Sequence, residues 1–328
     1  MIGIAVIGAG RIGQIHAGNL YRHPQADLRC IIDVSTAAAA ELARSCGCEV
    51  GTLEAMLADS SVQAVVIASS TDTHAELVTA CAEAGKAIFC EKPLDLSVAT
   101  AEACLNVVEN EKSLLIIGFN RRHDPSFEQL KREAAAGVVG DVEVVSITSR
   151  DPAPPPAEYV ARSGGLFRDM MIHDFDMGCW LLGEQPVEVF ARGSVLFDKA
   201  IGTAGDIDTA IATLRTASGK LCQITNSRRC SYGYDQRVEV FGSEGMAHAG
   251  NQRETLVETA NADGYLRGPA MPFFLERYAD AYRIQLDKFL RVVAGDKIAL
   301  PTGEDGLRAL QIAAAAQLSH ESGKPVEL

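Results

Sequence analysis

The sequence predicts two α/β domains: a doubly wound parallel sheet over residues 1–120, and a domain with a largely antiparallel, open sheet over residues 121–328. In the first part, short apolar runs alternate with stretches that carry apolar residues at helical spacing, which is typical of doubly wound folds. The runs are apolar at successive positions, as in Ala64–Ala68, which indicates strands covered by helices on both faces. After residue 186, strands joined by short turns replace this alternation.

The individual elements follow from the apolar runs and the spacing between them. In the first domain we predict strands at 2–7, 28–34, 49–51, 62–68, 86–90 and 114–119, and helices at 12–22, 35–46, 53–59, 74–85 and 97–112. In the second we predict helices at 126–136, 167–182, 274–294 and 303–322, and strands at 142–149, 186–197, 208–216, 220–229, 235–241, 245–249 and 254–260. A proline-rich loop at 151–156 cannot join a central strand ladder.

Charge and composition exclude several classes of partner. The net charge is −13, and Lys/Arg runs are two residues long at most, so no broad basic face is expected for nucleic acid or anionic lipid. No window approaches the roughly 18 apolar residues of a membrane span. The apolar start Met1–Ile7 runs into glycines and indicates a strand rather than a signal peptide. We therefore expect a cytoplasmic protein with no nucleic-acid or membrane partner.

Cysteine usage agrees with that compartment. Nine scattered cysteines, an odd number, predict free thiols rather than a disulfide framework. The close pair Cys46-Gly47-Cys48 leaves a redox or metal site open, but no second Cys/His pair stands at ligand spacing. We therefore predict structural thiols and no bound metal.

A glycine-rich turn, Gly8-Ala9-Gly10-Arg11-Ile12-Gly13, follows the first strand and opens the first helix. In a dinucleotide site, the first glycine makes the turn, the second gives the pyrophosphate room, and the third lets helix and strand pack closely. Amides at the helix start then meet the phosphate charge. A plain glycine turn is the alternative, and the next strand argues against it.

Asp33 ends the second strand, twenty residues after Gly13, near the spacing expected for the acid that holds the ribose hydroxyls. A carboxylate there repels a 2′-phosphate, and Val34-Ser35-Thr36 brings no arginine to receive one. The sequence therefore favours NAD over NADP. A helix cap is the other interpretation of Asp33, a role that Ser35 or Thr36 could also fill.

Further candidates stand at the ends of later strands, where ligands of open α/β sheets bind. Ser69-Ser70-Thr71-Asp72-Thr73-His74 follows the fourth strand, with His74 interpreted as structural or as lining the cofactor. Glu91-Lys92-Pro93 follows the strand at 86–90. The predicted cofactor contacts are Gly8, Gly10, Arg11, Ile12, Gly13, Asp33, Ser69, Thr71, His74, Glu91 and Lys92.

Asp169 and His173 stand four residues apart in the predicted helix 167–182, and therefore on one face. Oxidation of an alcohol needs a base for the hydroxyl proton and a donor for the charge that develops on the oxygen. A histidine suits the first task and Lys92 the second, and Asp169 can orient the histidine. A surface pair and a His/Asp metal site are the alternatives.

Several segments resemble the Gfo/Idh/MocA oxidoreductase family over essentially the whole chain. They are the Gly8–Gly13 turn, Glu91-Lys92-Pro93, Gly118-Phe119-Asn120-Arg121-Arg122, the stretch Gly165–Asp176, and Tyr232-Gly233-Tyr234-Asp235-Gln236-Arg237. Two of these segments, Ile172-His173-Asp174-Phe175-Asp176 and Tyr232–Arg237, are similar to the corresponding segments of inositol dehydrogenases in particular.

The resemblance implies an N-terminal Rossmann domain that binds NAD, and a C-terminal α/β domain whose open sheet often mediates dimers or tetramers. It implies a catalytic trio of Lys92, Asp169 and His173, with His173 as base. The implied substrate contacts are Lys92, Asn120, Arg121, Asp151, Asp169, His173, Tyr232 and Tyr234.

The implied reaction is oxidation of a secondary alcohol on a cyclic polyol, with myo-inositol giving its 2-keto product. Asn120 precedes Arg121 where relatives often carry an apolar residue, which leaves another inositol isomer or sugar open as substrate. A non-catalytic NAD-binding regulator would carry the glycine turn but has no need of Lys92, Asp169 and His173 together.

Overall fold

The computed structural model describes residues 1–328 except the side chain of Ala157, and the chain forms two compact units. The first unit contains residues 1–123 and 281–310, and the second contains residues 124–280 and 311–328. The division expected at residue 120 lies close to the first boundary. The return of residues 281–310 to the first unit differs from the expectation, which assigned them to the second domain.

The first unit is built on a six-stranded parallel sheet, which confirms the predicted doubly wound architecture. Its strands are β1 (Ile2–Ile7), β2 (Ala26–Ile32), β3 (Glu49–Val50), β4 (Ala64–Ile67), β5 (Ala87–Cys90) and β6 (Leu115–Ile117). The strand order is β3-β2-β1-β4-β5-β6, so the direction of winding reverses between β1 and β4. The crevice beyond the carboxyl ends of these two strands is where such sheets bind ligands.

Helices cover both faces of this sheet because its strands are buried throughout their central positions. They are α1 (Arg11–Tyr21), α2 (Thr36–Cys46), α3 (Leu53–Ala58), α4 (His74–Glu83) and α5 (Val98–Asn110), joined by α12 (Ala279–Val293). Serine and threonine hydroxyls cap three of them: Ser35 accepts from the Ala38 amide, Thr52 from Ala55, and Ser97 from Thr100.

The returning segment completes the core of the first unit. Leu286, Phe289, Leu290 and Leu300 are buried in the same apolar cluster as β1, β4 and the side chain of Phe89. The Ile117 amide also donates to the Pro301 carbonyl, so the returning chain lies beside β6. This association joins segments far apart in sequence, and local periodicity does not reveal it.

The second unit contains a seven-stranded mixed sheet in the order β12-β11-β7-β10-β9-β8-β15. Its strands are β7 (Val142–Arg150), β8 (Pro186–Ser194), β9 (Thr209–Thr216), β10 (Leu221–Ser227), β11 (Asp235–Gly242), β12 (Gly245–Ala249) and β15 (Val326–Glu327). Of its strand pairs, β7–β10 is parallel and the others are antiparallel, which confirms a largely antiparallel sheet. Buried and exposed residues alternate along β9 and β10, so one face is covered and the other is open.

The remaining elements belong to the second unit, except that α13 begins in the first unit. They are α6 (Pro125–Ala135), α7 (Ala157–Val160), α8 (Gly165–Asp169), α9 (Ile172–Leu182), α10 (Lys199–Thr203), α11 (Phe274–Arg277), α13 (Gly303–Ser322) and a hairpin of β13 (Glu258–Asn261) with β14 (Gly264–Arg267). Helix α9 packs on β7 and β10. Among the described residues, no helix has both the length and the apolar character needed to cross a bilayer.

Three elements differ from the sequence-based expectation. The predicted helix 167–182 is interrupted between α8 and α9, because the Met171 amide donates five residues back to Leu166 and the hydrogen-bond ladder restarts from the Met171 carbonyl. The predicted helix 274–294 is interrupted at Tyr278. The strand predicted at 254–260 begins at Glu258 and forms a separate hairpin.

Candidate active site

The glycine turn leaves open space where a dinucleotide site needs it. Gly8 has a φ of +106°, and a Cβ there would lie 2.4 Å from the Ala68 carbonyl oxygen. A Cβ on Gly13 would lie 1.9 Å from the Gly8 carbonyl oxygen, so helix and turn touch directly. A Cβ on Gly10 would meet no atom within 4 Å. The turn is therefore packed at Gly8 and Gly13 and open at Gly10, as a pyrophosphate cradle requires.

Asp33 joins the end of β2 to this turn. One carboxylate oxygen accepts from the Ala9 amide at 2.7 Å, and the other accepts from the Ser35 amide at 2.7 Å. Ser35, and not Asp33, is the residue that caps α2. The carboxylate therefore lies beside the glycine turn, where a ribose hydroxyl can reach it. At the start of α1, Arg11 is exposed and Ile12 is half-buried.

The segment after β4 is held together by its own side chains. The Ser69 and Thr73 hydroxyls lie 2.7 Å apart, and Thr71 opens a short 3₁₀ turn before α4. His74 is buried, with Nδ1 2.8 Å from the Pro93 carbonyl oxygen and Nε2 3.1 Å from the Ser69 carbonyl oxygen. Both ring nitrogens thus face main-chain carbonyls, and contact of this ring with the cofactor stays a prediction.

Glu91-Lys92-Pro93 follows β5 at the same edge of the sheet, and the Lys92–Pro93 peptide bond is cis. The Glu91 side chain, predicted to contact the cofactor, lies with Oε1 2.6 Å from His16 Nε2. Lys92 is half-buried. Beyond β6, Asn120 and Arg121 are both buried in a 3₁₀ turn.

In the second unit, Asp169 ends α8 and belongs to a buried ionic network. Its Oδ1 accepts from the Tyr159 hydroxyl at 2.9 Å, and its Oδ2 lies 3.3 Å from Arg228 Nη1. Arg228 is 1 % exposed, and its Nη2 lies 3.3 Å from Asp206 Oδ2. Asp206 in turn accepts from the Leu166 amide at 3.0 Å. The carboxylate of Asp169 is therefore fixed by a cation that solvent does not reach.

His173 is half-buried in the first turn of α9, so the break at Met170-Met171 separates it from Asp169. The two residues therefore do not lie on one continuous helix as predicted, and their pairing across the break stays a prediction. The neighbouring Asp174 is buried and accepts from the Ser149 hydroxyl at 2.7 Å and from Asn226 Nδ2 at 2.9 Å. These bonds anchor α9 to β7 and β10 and so determine where His173 stands.

The remaining predicted substrate contacts differ in exposure. Asp151 is half-buried, and its amide donates to the Ser227 carbonyl at 2.9 Å. Tyr232 is exposed, and partial burial of its hydroxyl together with the hydrogen bond to Asp235 raises its pKa to about 12. Tyr234 is buried edge-to-face against Phe273 and Tyr278.

Several residues of these arrangements were not predicted from the sequence, among them His16, Arg228 and Asp206. His16 carries a signal, because it is polar at a position where α1 otherwise buries Gly13, Ala17 and Leu20. Arg228 and Asp206 carry none, since their partners lie far away along the chain.

The cysteines and possible metal ligands complete the description. All nine cysteines are free, and burial raises the pKa of Cys48 to about 11. Among the described residues, no three His, Cys, Asp or Glu side chains are grouped as a metal site.

A parallel sheet in this strand order, a glycine turn open at Gly10 and a carboxylate at the end of β2 define a dinucleotide-binding protein. Family comparison makes this specific. The family described as "Oxidoreductase family, NAD-binding Rossmann fold" matches residues 2–119, and the "GFO/IDH/MocA C-terminal domain" matches residues 127–248. The chain belongs to the Gfo/Idh/MocA oxidoreductase family, and the predicted oxidoreductase class and NAD cofactor are confirmed.

Individual relatives cover almost the entire chain. An inositol 2-dehydrogenase of Rhizobium meliloti is 50% identical over 95% of this chain and 94% of its own length. A myo-inositol 2-dehydrogenase of Thermotoga maritima is 47% identical over 99% of this chain and 98% of its own. The structure of a Lactobacillus casei scyllo-inositol dehydrogenase with bound NAD(H) and scyllo-inositol is 29% identical, with a TM-score of 0.93 over 100% of this chain and 99% of that chain.

Proposed function

We propose that this protein catalyses NAD-dependent oxidation of a secondary alcohol on a cyclic polyol, converting myo-inositol to 2-keto-myo-inositol (scyllo-inosose). The observation that carries the proposal is the near-complete alignment, at 47% and 50% identity, with two proteins named as inositol 2-dehydrogenases. The open space at Gly10 and the carboxylate of Asp33 supply the cofactor side of this chemistry.

The glycine turn would hold the NAD pyrophosphate, and Asp33 would hold the ribose hydroxyls. When bound, NAD supplies the acceptor for the hydride that leaves the carbinol carbon. Ser69, Thr71, His74 and Glu91 are the further cofactor contacts that we propose, together with Arg11 and Ile12 at the start of α1.

The protein's own groups would handle the proton and the developing charge. We assign His173 as the base that removes the hydroxyl proton, and Lys92 as the donor that stabilises the substrate oxygen. Asp169, held by Arg228 and Tyr159, would favour the protonated form of His173 once the proton has moved. Asn120, Arg121, Asp151, Tyr232 and Tyr234 are the proposed polyol contacts.

A second substrate has specific support. The Lactobacillus casei protein whose structure matches this chain was solved with scyllo-inositol bound. Scyllo-inositol differs from myo-inositol in the configuration of one carbon and yields the same ketone, so both isomers belong in the assay.

The experiment is NADH absorbance with myo-inositol, scyllo-inositol, chiro-inositol and glucose in parallel, each with NAD and with NADP. We expect NAD-linked turnover with highest kcat/KM for myo-inositol. A higher kcat/KM for scyllo-inositol would favour the second substrate. No turnover on any inositol would refute the proposed activity while leaving the family assignment intact.

We also propose that the enzyme works in the cytoplasm as a homo-oligomer, either a dimer or a homotetramer. Nine free thiols suit a reducing compartment. The open face of the second sheet exposes Ile211, Leu221 and Phe241 by nearly half, an apolar surface that a second copy of the chain would cover. Light scattering of the purified protein tests the assembly, and a monomer at micromolar concentration would exclude it.

A further inference from the structure

His16 lies on the buried, otherwise apolar face of α1. It is fully buried, and its ring lies edge-on to Phe89 and Tyr282, with centroids 5.3 and 5.8 Å away. Its Nε2 lies 2.6 Å from Oε1 of Glu91. A carboxylate only accepts hydrogen bonds, so we assign the shared proton to Nε2.

Glu91 is the residue before Lys92 in the chain, and its side chain is buried. A Cβ on Gly118 would lie 3.0 Å from each of its carboxyl atoms, so the carboxylate packs directly against the backbone at the end of β6. A buried carboxylate is costly unless it accepts hydrogen bonds, and the His16 ring supplies one. This contact fixes the amino-terminal side of the segment Glu91-Lys92-Pro93, which we call the Lys92 turn.

His74 fixes the other side of the same turn. Its Nδ1 lies 2.8 Å from the carbonyl oxygen of Pro93, the residue that follows Lys92. Its Nε2 lies 3.1 Å from the Ser69 carbonyl oxygen, at the end of the segment that follows β4. One buried histidine therefore links the Lys92 turn to α1, which begins at the glycine turn. The ring of the other lies between this turn and the Ser69 segment, within hydrogen-bonding distance of a carbonyl oxygen of each.

From this arrangement we propose that His16 and His74 are positioning residues that hold Lys92 in its catalytic position relative to the bound cofactor. The proposal rests on the proposed function for the role of Lys92. Lysine is a flexible side chain, so its placement depends on how rigidly its own backbone is held. A displacement of about 1 Å at a reacting group can cost on the order of a hundredfold in rate. In this role both histidines act through the residues on each side of Lys92, and for His74 the role is additional to the cofactor contact proposed above.

The test compares two substitutions of His16 with a matched control. His16→Leu fills much of the ring volume but removes the donor to Glu91, whereas His16→Gln keeps an N–H at a similar reach. The control is His23→Leu, which removes another histidine–carboxylate contact of the same unit, 3.3 Å from Asp287, beyond the carboxyl end of α1. Measurements are kcat and KM for NAD and inositol, NAD affinity by fluorescence, and the thermal midpoint.

We expect His16→Leu to lower kcat about a hundredfold while the Kd for NAD changes less than about threefold. His16→Gln should recover at least a tenth of the wild-type kcat, and His23→Leu should match the wild type. Equal kcat in His16→Leu and wild type would overturn the proposal. Parallel losses of kcat, NAD affinity and thermal midpoint in both His16 variants would also overturn it, because they indicate a purely structural role.

A second measurement does not depend on substrate. Hydrogen–deuterium exchange of peptides covering Cys90–Asp95 should increase in His16→Leu and in His74→Leu, and peptides covering β1 should exchange as in the wild type. Unchanged exchange at Cys90–Asp95 would refute the positioning role of the two histidines, even if the wild type oxidises no inositol. If the wild type is inactive and exchange still rises, the proposed activity fails and the positioning of Lys92 stands.

Discussion

The glycine turn of the first unit and the Asp169 network of the second unit are built by opposite means. The turn presents main-chain amides and empty space, and its essential residues are those without side chains. The Asp169 network consists of side-chain charges, with one inaccessible arginine between two carboxylates. A backbone-built site therefore tolerates no added atom, whereas a charge-built site tolerates no lost partner.

The largest effect is expected from removing the cation of the charge-built site. Arg228→Met keeps most of the side-chain length but removes the positive charge that lies between Asp169 and Asp206. Loss of one partner of a buried ion pair costs about 3–5 kcal/mol in the free energy of unfolding. Urea-induced unfolding measures this loss. Arg215→Met is the control, because its pair with Glu188 is exposed and screened by solvent. Equal losses in both variants would contradict the importance of the buried network.

An intermediate effect is expected from adding one carbon to the backbone-built site. In Gly13→Ala the new Cβ collides with the Gly8 carbonyl oxygen, which we expect to cost roughly 1–3 kcal/mol in unfolding free energy and to abolish tight NAD binding.

Gly10→Ala is the matched variant, since its Cβ meets no protein atom within 4 Å. Its thermal midpoint should equal that of the wild type, while the Kd for NAD rises at least about tenfold because the methyl group occupies pyrophosphate space. Wild-type NAD affinity in Gly10→Ala, measured by fluorescence titration, would show that the open space at Gly10 is not the cradle.

The smallest effect concerns His123, a buried histidine of the first unit whose charged form is disfavoured by burial. Burial, followed by the positive charges of Lys288 and Arg122, lowers the pKa of His123 from 6.5 to about 3. Below pH 6.5 the unfolded chain binds a proton at this residue that the folded chain does not. Stability from neutral His123 is therefore present above pH 6.5 and falls as the pH drops towards 3.

Between pH 7 and pH 5 this residue should cost about 2 kcal/mol of unfolding free energy. His123→Gln removes the titration, so its stability should fall less over that interval than the stability of the wild type. His248→Gln makes the same substitution at an exposed histidine and is the matched control. Parallel pH profiles for wild type and His123→Gln would contradict the assignment.

The glycine turn could be predicted from the sequence, whereas the side-chain contacts of the ionic network could not. Gly8, Gly10, Gly13 and Asp33 were identifiable because backbone turns require particular residues at particular spacings, and the family motifs lie within short segments. The contacts of His16 with Glu91 and of Arg228 with Asp169 join residues 75 and 59 positions apart, which no local pattern encodes.

The break between α8 and α9 was invisible for a different reason. Met170 and Met171 continue the apolar pattern across it, and no proline or glycine stands at the interruption. The hairpin of β13 and β14 did have a local signal, since Asn261-Ala262-Asp263-Gly264 is a turn sequence and Gly264 has a φ of +122°.

The return of residues 281–310 to the first unit has a consequence for how the protein is made. Residues 1–123 are synthesised long before Leu286, Phe289, Leu290 and Leu300. These four side chains complete the apolar cluster around β1 and β4. At a synthesis rate of about 5–20 residues per second, the nascent amino-terminal part waits for many seconds with that surface uncovered. The first segment of the cofactor-binding unit is completed only by residues 281–310, so its folding is tied to translation of the residues 124–280 that lie between them.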